Sequence, residues 1–87
     1  MNKEHISKVQ GLLTEWNPLG KRSTKISDLN NYEIEAVDIL FHIKKNNTIE
    51  QICKMISSVL NQAFNIHVDQ AKCRIIAEQI QIIIKEK

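Results

Sequence analysis

The sequence contains few cysteine, proline, glycine and aromatic residues. Of its 87 residues, two are Cys, one is Pro, two are Gly and four are Phe, Tyr or Trp. Small secreted domains held by disulfides usually need more cysteines, and the two here form no CxxC pair. Strand-type alternation of apolar and polar residues is also absent over any useful length. The pattern therefore favours helices joined by short polar loops.

Neither sign of charge dominates, and no apolar run is long. Twelve Lys and Arg stand against ten Asp and Glu, a net charge of +2, which is a weak basic footprint for a nucleic-acid binder. No apolar stretch approaches the ~18–20 residues of a membrane span, and the first residues lead into no signal-peptide core. We expect a cytoplasmic chain with no membrane partner. The abundance of Ile, Lys and Asn, which have AT-rich codons, indicates a bacterial source.

The composition, 43% hydrophobic and 25% charged, is that of a globular chain. A chain of this length accommodates one domain, which we expect to span residues 1–87. Apolar residues recur at intervals of three and four. This periodicity predicts an all-α, compact antiparallel four-helix bundle with helices at about 3–15, 31–45, 49–64 and 70–86.

Local signals mark the predicted helix ends. Helix 1 should stop before Pro18, because the residue preceding a proline is pushed out of the α region. Asn30–Glu33 has the pattern of a capping box for helix 2, and Thr48–Gln51 has it for helix 3. Asn65 is a plausible end for helix 3, and Asp69 is placed to cap helix 4.

The apolar face of each helix predicts the core. On helix 1 the face is Ile6, Val9, Leu12, Leu13 and Trp16. On helix 2 it is Ile34, Val37, Leu40, Phe41 and Ile43. On helix 4 it is Cys73, Ile76, Ala77, Ile80, Ile83 and Ile84. Cys53 of helix 3 and Cys73 both lie on inner stripes, so we expect both thiols to be small buried hydrophobic groups. Trp16 completes the helix 1 stripe and is expected to be largely buried.

Two short motifs resemble a known family. Trp16–Gly20 reads Trp-Asn-Pro-Leu-Gly, and Tyr32–Ala36 reads Tyr-Glu-Ile-Glu-Ala. The chain resembles a bacterial family of small four-helix proteins of unknown function, in which Trp-Asp-Pro-x-Gly follows helix 1 and Tyr-x-x-Glu-Ala opens helix 2. Asn17 replaces the usual Asp, and the following loop is basic where the family tends to be short and acidic. The resemblance implies the fold and supplies no chemistry.

One stripe of helix 2 carries polar groups that could do chemistry. Glu35, Asp38, His42 and Lys45 recur at helical spacing, and acid and imidazole on adjoining turns could bind a metal or form an acid–base pair. A solvated face explains the same pattern better, because no further ligand has coordinating spacing. The sequence has no nucleophile–base pair and no glycine-rich phosphate loop. We expect no catalytic residues, no metal, no cofactor and no enzymatic activity.

Aromatic residues near the Pro-Gly turn form a candidate partner-binding group: Trp16, Pro18 and Tyr32, with Glu35 nearby. Such residues commonly close the end of a bundle, but Trp and Tyr are also enriched at binding hot spots. The basic segment Lys21–Lys25 could touch an anionic partner, although three charges without interleaved aromatics make a weak case.

Ile75 and Ile82 lie outside the inner stripe of helix 4. Either helix 4 is unusually central or these residues meet another chain, which makes them candidates for self-association as a homodimer. The sequence therefore favours a non-enzymatic interaction or regulatory module with an unidentified protein partner. One alternative is an immunity-type protein that neutralises a toxin or bacteriocin. Another is a weak nucleic-acid binder, and nucleic acid is an unlikely partner on the charge alone.

Overall fold

The computed structural model of the chain describes residues 3–20 and 32–85. Its helices are α1 Lys3–Trp16, α2 Glu33–His42, α3 Ile49–Phe64 and α4 Gln70–Lys85. The predicted all-α four-helix bundle is confirmed. The observed α3 coincides with the predicted helix 3, and α1 is one residue longer than predicted. By contrast, α2 begins two residues later and ends three residues earlier. Residue 86, the predicted end of helix 4, lies outside the described residues.

The helices form a ring in which each packs against two neighbours. Packed pairs are α1 with α2, α2 with α3, α3 with α4, and α4 with α1, whereas the diagonal pairs of these described helices are not packed together. Tyr32 before α2 stacks edge-on against Phe64 at the end of α3, with ring centroids 6.1 Å apart. The Gln81 amide near the end of α4 donates to the Asn47 carbonyl before α3 at 3.2 Å. Hence α2 and α4 both run antiparallel to α3 and share one direction.

The ends of α3 and the start of α4 follow the sequence signals. The Gln51 N–H donates to Thr48 Oγ1 at 3.1 Å, and the Thr48 N–H donates to Gln51 Oε1 at 2.9 Å, so the capping box is complete. Asn65 ends α3 in the left-handed conformation at φ 55°. Asp69 Oδ1 accepts the backbone N–H two residues on at 2.9 Å. These three predictions are confirmed.

The predicted start of α2 is wrong. Helix α2 begins at Glu33, so Asn30 cannot be its N-cap, and Asn30 itself lies outside the described residues. Tyr32 occupies the N-cap position at φ 64° and offers no side-chain cap. The whole residue, ring included, is only 2% exposed. Burial of this ring sets where the helix begins, and a sequence signal based on side-chain capping does not detect it.

The core lies along the shared axis of the bundle. Helix α1 contributes Val9 and Leu13 as fully buried residues. Helix α3 contributes Ile52, Ile56 and Leu60. Helix α4 buries all six residues of its predicted inner face: Cys73, Ile76, Ala77, Ile80, Ile83 and Ile84. Helix α4 therefore buries the stripe that its periodicity predicts, and α1 buries the centre of its stripe.

The predicted apolar face of α2 is wrong in part, because Leu40 and Ile43 pack against the core but Ile34 and Phe41 are exposed. Ile34 and Phe41 are 60% and 74% exposed, while Glu35, Ala36 and Ile39 are buried. Six of the ten α2 residues are apolar and they surround the helix, so periodicity alone does not select one face. Contacts with α1 and α3 decide the rotation instead. Among the described residues, every helix is too short or too polar to cross a bilayer.

Candidate interaction surface

The turn after α1 is held by the backbone and side chain of Asn17. This residue adopts the left-handed conformation at φ 50°, and its N–H donates to the Leu13 carbonyl at 2.8 Å, which ends the helix. The Gly20 N–H donates to the Asn17 carbonyl at 2.9 Å, and Asn17 Nδ2 donates to the Gly20 carbonyl at 3.2 Å. Asn tolerates positive φ better than most residues, which suits this position.

Tyr32 ties this turn to the start of α2. Its hydroxyl donates to Asn17 Oδ1 at 2.6 Å and accepts the Leu19 N–H at 3.3 Å. Burial of the phenol, reinforced by the negative charge of Glu35, raises the pKa of Tyr32 above its usual value, although the Leu19 N–H opposes the shift. The side chain of Tyr32 has almost no surface left for a partner. Tyr32 therefore has a structural role, in which it connects the turn after α1 to the start of α2.

Glu35 is also placed inside the molecule, at 7% exposure. The polar stripe predicted on helix 2 is therefore divided: Asp38, His42 and Lys45 are exposed and Glu35 is not. The His42 ring is occupied locally, since Nδ1 lies 2.8 Å from the Asp38 carbonyl oxygen. Within residues 3–20 and 32–85, no three His, Cys, Asp or Glu side chains come together as metal ligands would.

A groove of about 280 Å³ opens between α1 and α4. Its apolar wall consists of Leu12, Trp16, Ile75 and Ile76. Its polar rim consists of Glu15, Lys72 and Gln79. Trp16 is half-buried, less than the sequence predicts, because one part of the indole packs on the core and another part faces this groove. The volume suits one or two apolar side chains better than a cofactor.

Ile75 and Ile82 extend the apolar surface beside the groove. They are 54% and 61% exposed, which excludes the alternative in which helix 4 is central and buries both residues. Seven residues separate them, which is two helical turns or about 10.5 Å along the axis. We call Leu12, Trp16, Ile75 and Ile82 together the α4 surface. The structure thus brings Trp16 beside Ile75, two candidates that the sequence treats separately.

The remaining candidates lie apart from the α4 surface. Pro18 is half-buried in the turn after α1, and Tyr32 and Glu35 are both buried. The segment Lys21–Lys25 lies outside the described residues. Sequence reasoning missed the exposure of Ile34 and Phe41 on α2. No local signal distinguished them, because the apolar residues of α2 surround the helix.

The two cysteines are neighbours across α3 and α4. Cys73 is fully buried, and its Sγ donates to the Cys53 carbonyl at 3.4 Å and lies 3.5 Å from Ser57 Oγ. Burial raises the pKa of the Cys73 thiol to about 12. Cys53 is half-buried, with its Sγ 3.6 Å from Gln70 Oε1, and both cysteines are free thiols. The expected burial is confirmed for Cys73 and is wrong for Cys53, which remains partly accessible.

A family model described as a domain of unknown function (DUF1871) matches residues 8–87. The chain belongs to this family. The match runs from within α1 to the end of the chain, so the Asn17 turn, the groove and all of α4 lie inside the DUF1871 region. No curated protein and no solved structure shows significant similarity to the chain. The DUF1871 description carries no activity, and the functional argument therefore rests on the residues themselves.

Proposed function

We propose that this member of the DUF1871 family is a non-enzymatic protein-interaction module of the bacterial cytoplasm that binds a partner protein through the α4 surface. The observation that carries the proposal is the groove in which half-buried Trp16 lies beside exposed Ile75. An aromatic side chain held by the core and flanked by exposed aliphatic groups is typical of an interaction hot spot.

The chemistry of the groove supports a protein partner. Its wall is apolar, and its rim carries one acid, one base and one amide from Glu15, Lys72 and Gln79. An apolar centre with a mixed polar rim is the usual composition of a protein–protein interface. A partner helix would place one or two apolar side chains in the groove and another over Ile82, two turns away.

Two alternative roles are also proposed. An immunity-type role is the case in which the partner is a toxin or bacteriocin, and the same surface would serve it. A nucleic-acid role is less favoured, because the net charge is +2. It predicts binding that weakens steeply with salt, which a titration against mixed DNA and RNA would detect.

The test uses the whole chain as affinity bait in native cytosol, followed by titration of the captured protein after purification. Ile75→Glu should weaken binding at least about tenfold, because it introduces a charge at the apolar centre of the surface. Gln62→Glu is the matched control, since Gln62 is exposed on α3 and the change also introduces one carboxylate. The control should bind within about twofold of the wild type.

Trp16 provides an independent readout because it is the single tryptophan of the chain. Partner binding over the groove should shift its fluorescence emission to shorter wavelength as water leaves the indole. Binding that is equally strong in the Ile75→Glu variant, or that leaves the Trp16 emission unchanged, would place the interface elsewhere and reject the proposal.

A further inference from the structure

Two helices of the bundle carry matching apolar stripes that nothing in the described residues covers. The exposed large hydrophobic residues are Ile34 and Phe41 on α2 and Ile75 and Ile82 on α4, each between 54% and 74% exposed. In both pairs the members are seven residues apart, or about 10.5 Å along the helix axis. The two stripes therefore have the same length and the same spacing.

The fold determines how the two stripes can meet. Helices α2 and α4 occupy diagonal positions in the ring and are not packed against each other. Since each packs its inner face on α1 and α3, their exposed stripes face opposite sides of the molecule. Within one copy, residues 3–20 and 32–85 leave both stripes uncovered. Because α2 and α4 run in the same direction, α2 of one copy can lie alongside α4 of another with both molecules in similar orientation.

Charges around the stripes distinguish the ways of pairing. With the helices parallel, Ile34 lies level with Ile75, and Phe41 lies level with Ile82. Helical geometry then places Glu33 of α2 and Lys72 of α4 on the same edge of the contact, displaced from each other by two residues along the helix axis. On the other edge Asp38 of α2 faces Arg74 of α4, displaced by five residues along the helix axis. This is the usual offset of charge pairs that flank two parallel helices. All four charged side chains are exposed.

Pairing each stripe with its own copy is less favourable. A twofold antiparallel contact of α4 with α4 that sets Ile75 against Ile82 brings Glu78 close to its own symmetry mate. A similar contact of α2 with α2 brings Asp38 close to its own symmetry mate. Like charges at the centre of an interface oppose association. In the α2–α4 pairing Glu78 also approaches Asp38, but this contact adds the attractions of Arg74 for Asp38 and of Lys72 for Glu33, which neither symmetric pairing contains.

We propose that the α4 surface binds the exposed α2 stripe of a second copy of this chain, in a parallel and heterologous contact. The inference rests on the proposed function, because it names the partner of the α4 surface. Every copy offers one α2 stripe and one α4 stripe, so the contact does not pair two identical surfaces. Association of this kind continues from copy to copy unless it closes into a ring.

Complementation between two variants tests the proposal. Phe41→Glu disables the α2 stripe and Ile82→Glu disables the α4 stripe, and both residues are exposed enough for the chain to remain folded. In sedimentation equilibrium the wild type should show a mass that rises with concentration. Each variant alone should be a monomer, and an equimolar mixture should form a dimer and nothing larger, because each member keeps one intact stripe. Gln62→Glu should behave as the wild type.

Charge exchange provides a second test that does not alter the apolar residues. Arg74→Asp should weaken association at least about tenfold, and the added change Asp38→Arg should restore it to within about twofold. Circular dichroism of each variant checks that its helical content is kept, and Phe41→Ser and Ile82→Ser replace any glutamate variant that does not fold.

The other outcomes overturn the proposal. Loss of association in Ile82→Glu alone, with Phe41→Glu unaffected, means a twofold dimer through α4. Loss in Phe41→Glu alone means a twofold dimer through α2. A wild type that stays monomeric at about 1 mM rejects self-association altogether. If that monomer still captures a protein in an Ile75-dependent manner, the proposed function stands and this inference fails.

Discussion

The Tyr32 hydroxyl donates a hydrogen bond of 2.6 Å to Asn17 Oδ1, across fifteen positions of the chain. This bond holds the positions of Asn17, which follows α1, and Tyr32, which precedes α2. Both residues adopt positive φ, 50° for Asn17 and 64° for Tyr32, a conformation that is uncommon outside glycine. The contact thus holds two unfavourable backbone geometries in place at one end of the bundle.

Removing the Tyr32 hydroxyl should destabilise the fold by about 1–2 kcal/mol, because Tyr32→Phe leaves two polar groups in a buried position without their partner. Chemical denaturation measures the change. Asn17→Gly keeps the freedom for positive φ and removes the acceptor. If the contact acts as described, the double variant should lose less stability than the sum of the single variants, by about 0.5–1.5 kcal/mol. Additive losses would show that the two residues act separately.

Trp16 should show the fluorescence of a partly covered indole. Its emission and its quenching by acrylamide should lie between those of buried and solvated tryptophan, and both should change on unfolding. Trp16→Ala should cost about 2–3 kcal/mol, less than the ~3–5 kcal/mol of a fully buried aromatic ring. A native emission at the solvated wavelength that denaturant does not alter would contradict the packing of Trp16 on the core.

The two thiols should differ in reactivity. In Cys53→Ser the remaining Cys73 should resist a thiol reagent until the chain unfolds, because its side chain is fully buried. In Cys73→Ser the remaining Cys53 should react in the native state at least about tenfold faster, since it is half-buried. Mass spectrometry after timed labelling measures both rates. Equal rates in the two variants would be inconsistent with their burial.

Stability should fall at alkaline pH through Cys73. Burial raises the pKa of this thiol from 9.0 to about 12, so the folded state holds its proton more tightly than the unfolded state. The contribution is complete below about pH 9 and is lost as the pH rises from 9 towards 12, by at most about 1.4 kcal/mol per pH unit. The difference in unfolding free energy between the wild type and Cys73→Ala should follow this course. A difference that does not change between pH 8 and pH 11 would count against it.

The capping box at the start of α3 should stabilise the folded chain. Thr48→Ala removes the oxygen that accepts the Gln51 N–H at 3.1 Å, and it should cost about 0.5–2 kcal/mol. Thr48→Ser keeps that oxygen and serves as the control, with a loss of less than half as much. Thermal unfolding followed by circular dichroism measures both. Equal losses in the two variants would mean that the methyl group matters and the cap does not.

The elements whose signals are local could be predicted from the amino-acid sequence. The box at Thr48 and Gln51, the stop at Asn65 and the cap at Asp69 each depend on a few adjacent residues, and all three form as predicted. The inner face of α4 was equally readable, since its six buried residues recur at intervals of three and four between residues 73 and 84, although Ile75 and Ile82 lie on the outer side. A long amphipathic helix has one favourable rotation, and its periodicity reveals it.

Tertiary structure alone decided the start and the rotation of α2. A helix of ten residues that is apolar all round has no preferred face of its own. Burial of Tyr32, held by Asn17 from the preceding turn, fixes where the helix begins. Packing of Ala36 and Ile39 then turns Ile34 and Phe41 to the outside. The groove at Trp16 depends in the same way on the distance between α1 and α4, which contacts remote in sequence determine and which no local pattern encodes.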